Sequence, residues 1–263
     1  MKGWMKALVV GSVGLLCLCL TQNALGQLSP LPDTHTGTSP VPAGMGRNNP
    51  IQDLRNLTVG GGTGPTHRES RVLSKGPLAP ASEDRDAFRD FLRDKHSGLM
   101  RLMPREKYDF ETYHVPRTIK IRGGGAYYSF AHLSHEYGYG SDIELERDNL
   151  SVGFAGADYG IMQNLGDVPL AEITLGDSRT SVLANYRAPT NEALARSARM
   201  RLGRGIIING EFYQPKLPLV VNNTYLLRSI NFGETDVLVA FRVIRKDQDG
   251  SATILWKLLK QSP

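Results

Sequence analysis

The residues best equipped for chemistry lie between Gly123 and Asp142, in the run GGGAYYSFAHLSHEYGYGSD. His132-x-x-His135-Glu136 could offer two imidazoles and a carboxylate to a metal, or serve a hydrolase that works without one. The three-residue spacing aligns the histidines on a helical turn; on a regular strand it sends them to opposite faces. The flanks read as strand and glycine loop, and the order matches neither His-Glu-x-x-His nor His-x-x-Glu-His. The expectation is therefore no metal site and no cofactor, with the histidines hydrogen-bonded at a strand end. A secreted hydrolase built on His132, His135 and Glu136 is the alternative.

Three neighbouring features suggest other chemistry. Tyr127, Tyr128, Tyr137 and Tyr139 could form an aromatic surface for a glycan or protein partner of the cell envelope. Against this, adjacent tyrosines on a strand must send one ring inward. Asp142, Glu144 and Glu146 have the alternation of one strand face, which predicts a solvated face rather than a glycosidase pair. Gly123 to Gly125 would cradle phosphate only if a helix followed; Ala126-Tyr127-Tyr128 reads as strand, so a bulge or sharp turn is expected. No Gly-x-Ser-x-Gly elbow marks a nucleophilic serine.

The elements that must position these residues are mostly strands. The strongest signal is the closing run Thr224 to Lys260, read as a three-stranded meander. Val237 to Ile244 is apolar on both faces, as a central strand covered from two sides should be. Asp249-Gly250 supplies a tight turn. Ile254, Trp256 and Leu258 then share one face. Further strands are expected at Thr118–Arg122, Ala126–Leu133, Ile143–Arg147, Leu150–Phe154, Leu170–Leu175, Val182–Arg187, Ile206–Tyr213 and Leu217–Asn222. One helix is expected from Ser82 to near His96-Ser97-Gly98. A second starts at Pro189-Thr190-Asn191-Glu192, lines Leu194, Ala195, Ala198 and Leu202 along one side, and closes at Gly203. The pattern predicts one α+β domain over 82–263, mainly antiparallel β-sheet, sandwich- or barrel-like, with about two helices.

What precedes that domain has a different composition. Lys2 and Lys6, the apolar run Ala7 to Leu20 and Ala24-Leu25-Gly26 read as a signal peptide over 1–26, cleaved before Gln27. Cys17 and Cys19 lie inside it without the small residue a lipid-attachment box needs. A mature chain would then carry no thiol for catalysis or zinc. Residues 27–81 read as a disordered tether, because Gln27 to Pro80 holds eight of the fifteen prolines and no aromatic residue. The alternative is a partner-binding tail, with Ile51, Leu54 and Leu57 as a small apolar anchor. The formal charge of +5 falls to +3 without Lys2 and Lys6; this is weak basicity that does not indicate nucleic acid. No later stretch is long and apolar enough to span a membrane. The sequence thus suggests a secreted or periplasmic protein, with a non-catalytic binding or envelope-associated domain as the leading expectation.

Overall fold

Along β10 (Thr235–Lys246), Val237, Val239, Phe241 and Val243 enter one apolar cluster, while Leu238, Ala240 and Ile244 enter another. Side chains alternate across a strand, so this run must lie between two layers. The computed structural model, which describes residues 71–262 apart from 74 and 139, provides both layers. β10 pairs with β11 (Ala252–Ser262) across the turn at Gly250, whose φ is 87°. On its other side it pairs with β9 (Thr224–Asn231), which pairs in turn with β5 (Tyr159–Gly166). β1 (Ser97–Leu102) closes the far edge against β11, giving an antiparallel sheet in the order β1-β11-β10-β9-β5.

A second antiparallel sheet joins β2 (Tyr127–Tyr128), β3 (Ile143–Glu146), β4 (Asn149–Ser151) and β8 (Lys216–Pro218) in that order. Its Tyr128, Ile143, Leu145, Leu150 and Leu217 meet Phe241, Ile254 and Trp256 of the large sheet in the main core cluster. The arrangement is a sandwich. The opposite face of the large sheet is covered by α1 (Ser82–Ala87) and the turn after it, α4 (Ser181–Asn185) and α5 (Glu192–Leu202). Those segments bring Phe88, Leu183, Ala195, Ala198 and Leu202 onto Leu226, Leu238 and Leu255. Between α1 and the small sheet lie two single-turn helices, α2 (Arg105–Tyr108) and α3 (Phe110–Tyr113). A hairpin of β6 (Ile206–Ile208) and β7 (Glu211–Tyr213) forms a ribbon of its own.

The fold is thus mainly antiparallel β with two substantial helical segments, as the sequence patterns imply, but several elements differ. The first helix does not reach Ser97-Gly98; those residues begin β1. Gly98 serves close approach rather than helix termination, since a Cβ there would lie 2.4 Å from the Trp256 ring. Among the described residues, Thr118–Arg122 pairs with no strand. Its alternation instead buries Ile119 against Leu78 and Met103, with Ile121 packed alongside. Leu170–Leu175 turns as a 3₁₀ segment, and Val182–Arg187 falls largely in α4, whose Leu183 carbonyl accepts from the buried Arg228. Strand β5 carries no alternating β-branched signal and was not expected.

Packing also starts upstream of Ser82. The Arg71 carbonyl accepts from the Leu99 N–H at 3.2 Å, and Leu78 is buried. The proposed signal peptide and residues 27–70 of the proposed tether lie outside the described residues. Among the described residues no helix is long and apolar enough to cross a membrane.

Candidate functional site

The chain between β2 and β3 builds the most unusual local structure. Asp142 is fully buried. Its carboxylate accepts from the Phe130 N–H at 2.8 Å and from Asn231 Nδ2 at 2.9 Å, with Ser129 Oγ at 3.5 Å. Burial pushes its pKa up to about 6; hydrogen bonds from Ser229, Phe130, Asn231 and Ala131 pull the other way. This contact ties the tight turn at Ser129–Ser134 to the end of β9. The turn is closed by its own bonds, Leu133 N–H to Ser129 O and Ser129 N–H to Ser134 O, each 2.8 Å.

The side chains carried by that turn form one wall of a cleft of about 550 Å³. Phe130, Leu133, Trp256 and Leu258 supply an apolar lining, with the Phe130 and Trp256 rings edge to face at 5.4 Å. Arg71, Lys95 and His96 stand at the rim. Arg71 donates to the carbonyls of Asp94 and Ser97, which leaves its charge unneutralised by those bonds. The nearby acid is Asp94, whose carboxylate accepts from the His96 N–H at 2.9 Å. Trp256 is 1% exposed, and its indole Nε1 is buried with no hydrogen-bond partner among the described residues. An indole N–H is a donor only, and a buried donor normally finds an acceptor.

The acidic alternation from Asp142 to Glu146 is not a solvated face. Glu144 is 4% exposed. Its carboxylate takes Arg105 Nη1 at 2.6 Å and Ser151 Oγ at 3.1 Å. Glu146 is a further partner of Arg105, at 3.7 Å, and accepts from the Tyr113 hydroxyl, which holds its pKa low. The sequence could not show this cover, because it comes from α2 and α3, packed over the outer side of the small sheet.

The histidine trio does not converge. His135 is 1% exposed, bonded through Nε2 to the Arg101 carbonyl at 3.0 Å, with its ring edge-on to Tyr128 at 4.9 Å. His132 and Glu136 are exposed. Among the described residues no group of three or more His, Cys, Asp or Glu side chains is placed to hold a metal.

The tyrosines do not form an open platform either. Tyr127 and Tyr128 are both buried, on opposite sides of β2. Tyr128 faces Phe130 and Trp256; Tyr127 lies under the half-buried Tyr137, ring centroids 4.6 Å apart, and against Phe154. Tyr139 lies outside the described residues. Gly123 to Gly125 make a sharp turn with positive φ throughout. A Cβ on Gly124 would sit 2.3 Å from the Tyr108 backbone, so the glycine permits α2 to cross there.

The cleft residues were legible only as core or as polar surface. Phe130, Leu133, Trp256 and Leu258 read as apolar strand positions, and Arg71 falls in a stretch read as tether. They arrive from four separated segments, and no local spacing announces their meeting. Compared with protein-family models, curated proteins and solved structures, the chain matches none.

Proposed function

We propose that this is an exported, non-catalytic binding protein whose Trp256 cleft takes an apolar molecule with an anionic end. The observation that carries the reading is the cleft itself, whose apolar lining of Phe130, Leu133, Trp256 and Leu258 is joined by Arg71, Lys95 and His96. An apolar pocket with a few oriented polar groups is the usual form of a small-molecule site. Arg71, Lys95 and His96, set against Asp94, favour a negatively charged head group. The non-catalytic part of the reading is supported by the divergence of His132, His135 and Glu136 and by the use of His135 inside the core.

Isothermal titration with dodecanoate, dodecanol and dodecylamine tests this proposal. Dodecanoate should bind, and the amine should not. Leu133→Asp, which places a charge in the apolar wall, should abolish binding. Trp256→Phe, which keeps a ring but trims the apolar wall, should weaken it by about fivefold, the scale of one or two buried CH₂ groups. Failure of all three ligands to bind would overturn the reading.

A further inference from the structure

A second surface stands apart from the cleft. The β6–β7 ribbon joins the large sheet through one isolated bridge, Met162 to Gln214. Its inner side is anchored: Ile206, Ile208 and Tyr213 pack onto the helix-side core, and Gln163 Nε2 donates to the Glu211 carboxylate at 3.1 Å. On the outer side, Ile207 and Phe212 are direct cross-strand partners, 72% and 49% exposed. The Asn209-Gly210 turn between the strands has positive φ at both residues, the geometry of a tight hairpin that presents this pair on a short, stiff ribbon.

Cations flank the pair. The Phe212 ring covers Gly205, whose Cβ position would lie 2.8 Å from it, and Arg204 is the preceding residue. Arg201 lies one turn earlier, at the end of α5, next to Met200, which is 72% exposed. Arg201 and Arg204 are exposed and have no ion-pair or hydrogen-bond partner among the described residues. The one acid on the ribbon, Glu211, is turned toward β5 through Gln163.

We infer that the Ile207–Phe212 ribbon is a membrane-surface contact, inserting its apolar pair among the lipids of an anionic bilayer while Arg201 and Arg204 meet the head groups. The size of the patch selects this occupant. A stable protein interface buries about 1,200–2,000 Å², far beyond two paired side chains and a methionine. Interfacial insertion needs only a few apolar groups with cations beside them. Single exposed apolar residues are ordinary; a registered pair on an otherwise well-anchored ribbon, next to unpaired arginines, has both halves of an interfacial anchor.

The test places a reporter on the ribbon itself. In the full chain, Phe212→Trp is titrated with phosphatidylcholine vesicles, with and without phosphatidylglycerol, and its emission is taken as the difference from the parent chain. The inference expects a blue shift, and quenching by brominated lipid, with the anionic vesicles and at least about tenfold less with the neutral ones. Ile207→Ser should weaken the response by about tenfold, the scale of burying one large aliphatic side chain. Arg201→Gln with Arg204→Gln should remove the preference for anionic lipid. These positions are exposed, so folding should survive each change, and circular dichroism checks it. No shift with either vesicle, or an equal shift with both, would overturn the inference. So would a blue shift that appears without lipid and grows with protein concentration, which would assign the ribbon to contact between copies of the chain.

Discussion

Asp142 and Glu144 stand two residues apart, both nearly lost to solvent, and the protein holds them by opposite means. Glu144 faces Arg105 at 2.6 Å, with the Ser151 hydroxyl on its other oxygen. Asp142 faces dipoles: the Phe130 N–H, the Asn231 amide and nearby hydroxyls. A cation fixes a carboxylate in its charged form, whereas dipoles in a buried site only partly offset desolvation. The charge on Asp142 is therefore conditional. The consequence is spatial as well, because Asp142 holds the turn that carries Phe130 and Leu133 into the cleft. The Arg105 cluster instead fastens α2 and α3 to the outside of the small sheet.

The sharpest way to break this contrast is to remove the cation. Arg105→Met should destabilise the fold by about 3 kcal/mol or somewhat more, because it strands Glu144 as an uncompensated buried charge. The lower end of the usual range applies, since the Arg105 side chain is 23% exposed and water screens part of the interaction. Adding Glu144→Leu should recover much of the loss, because the stranded charge is gone. Urea unfolding of both variants reads the difference. A single variant within about 1 kcal/mol of the parent would show that solvent reaches Glu144 and that the Arg105 pairing contributes little.

A second measurement uses pH. The native-state pKa of Asp142 is about 6, above the ordinary value of 3.8, so the folded protein holds this proton more tightly than the unfolded chain. Between those values the native state binds more protons, and the Asp142 contribution to stability falls as pH rises from about 4 to about 6. At 1.36 kcal/mol per unit, the whole span amounts to about 3 kcal/mol at most. Glu146 has the opposite sign. Its lowered pKa gives stability that is present above its unfolded value and lost as acid protonates it. The informative quantity is therefore the difference between the parent and Asp142→Asn, which cannot ionise. Unfolding free energies across this window should diverge with rising pH, to the disadvantage of the parent. Parallel curves would mean that Asp142 titrates as an ordinary carboxylate.

The contrast also marks where sequence reading works. Val237 to Ile244 announced a strand covered on both sides, because period-two alternation records burial on each face directly. Asn191 announced the start of α5, and its side chain does accept from the Ala193 and Leu194 N–H groups. Both signals are local. The cover over Glu144 is not: Arg105 is 39 residues away in sequence, and nothing around Asp-x-Glu-x-Glu tells a covered face from a wet one. Tyr127 misled for the same reason, since its lid, Tyr137, arrives from the far end of a loop. His135 reads as a residue at a strand end, but it lies in the chain after the Ser129–Ser134 turn, and its role as a core side chain depends on the Arg101 carbonyl from β1, a strand the sequence concealed behind Gly98. The cleft was the least legible feature, because its chemistry exists only where the turn at Phe130, strand β11 and residues 71–96 meet.

The smallest expected effect links the two carboxylates to binding. If Asp142 sets the position of the turn, then Asp142→Asn should disturb the Phe130 and Ala131 N–H contacts without unfolding the protein. An amide offers one acceptor oxygen where the carboxylate offers two, so the donors around it must share or reorient. The wall formed by Phe130 and Leu133 should loosen, and dodecanoate affinity should fall by about threefold, less than the loss of one full hydrogen bond. Glu144→Gln, two residues away but bonded to Arg105 and Ser151 rather than to the turn, should leave that affinity unchanged. The comparison belongs at one fixed pH near neutrality, above the window in which Asp142 itself changes charge. Equal affinities for all three proteins would detach Asp142 from the cleft and leave it a purely structural carboxylate. A larger loss in Glu144→Gln than in Asp142→Asn would reverse the assignment and place the Arg105 cluster in control of the cleft wall.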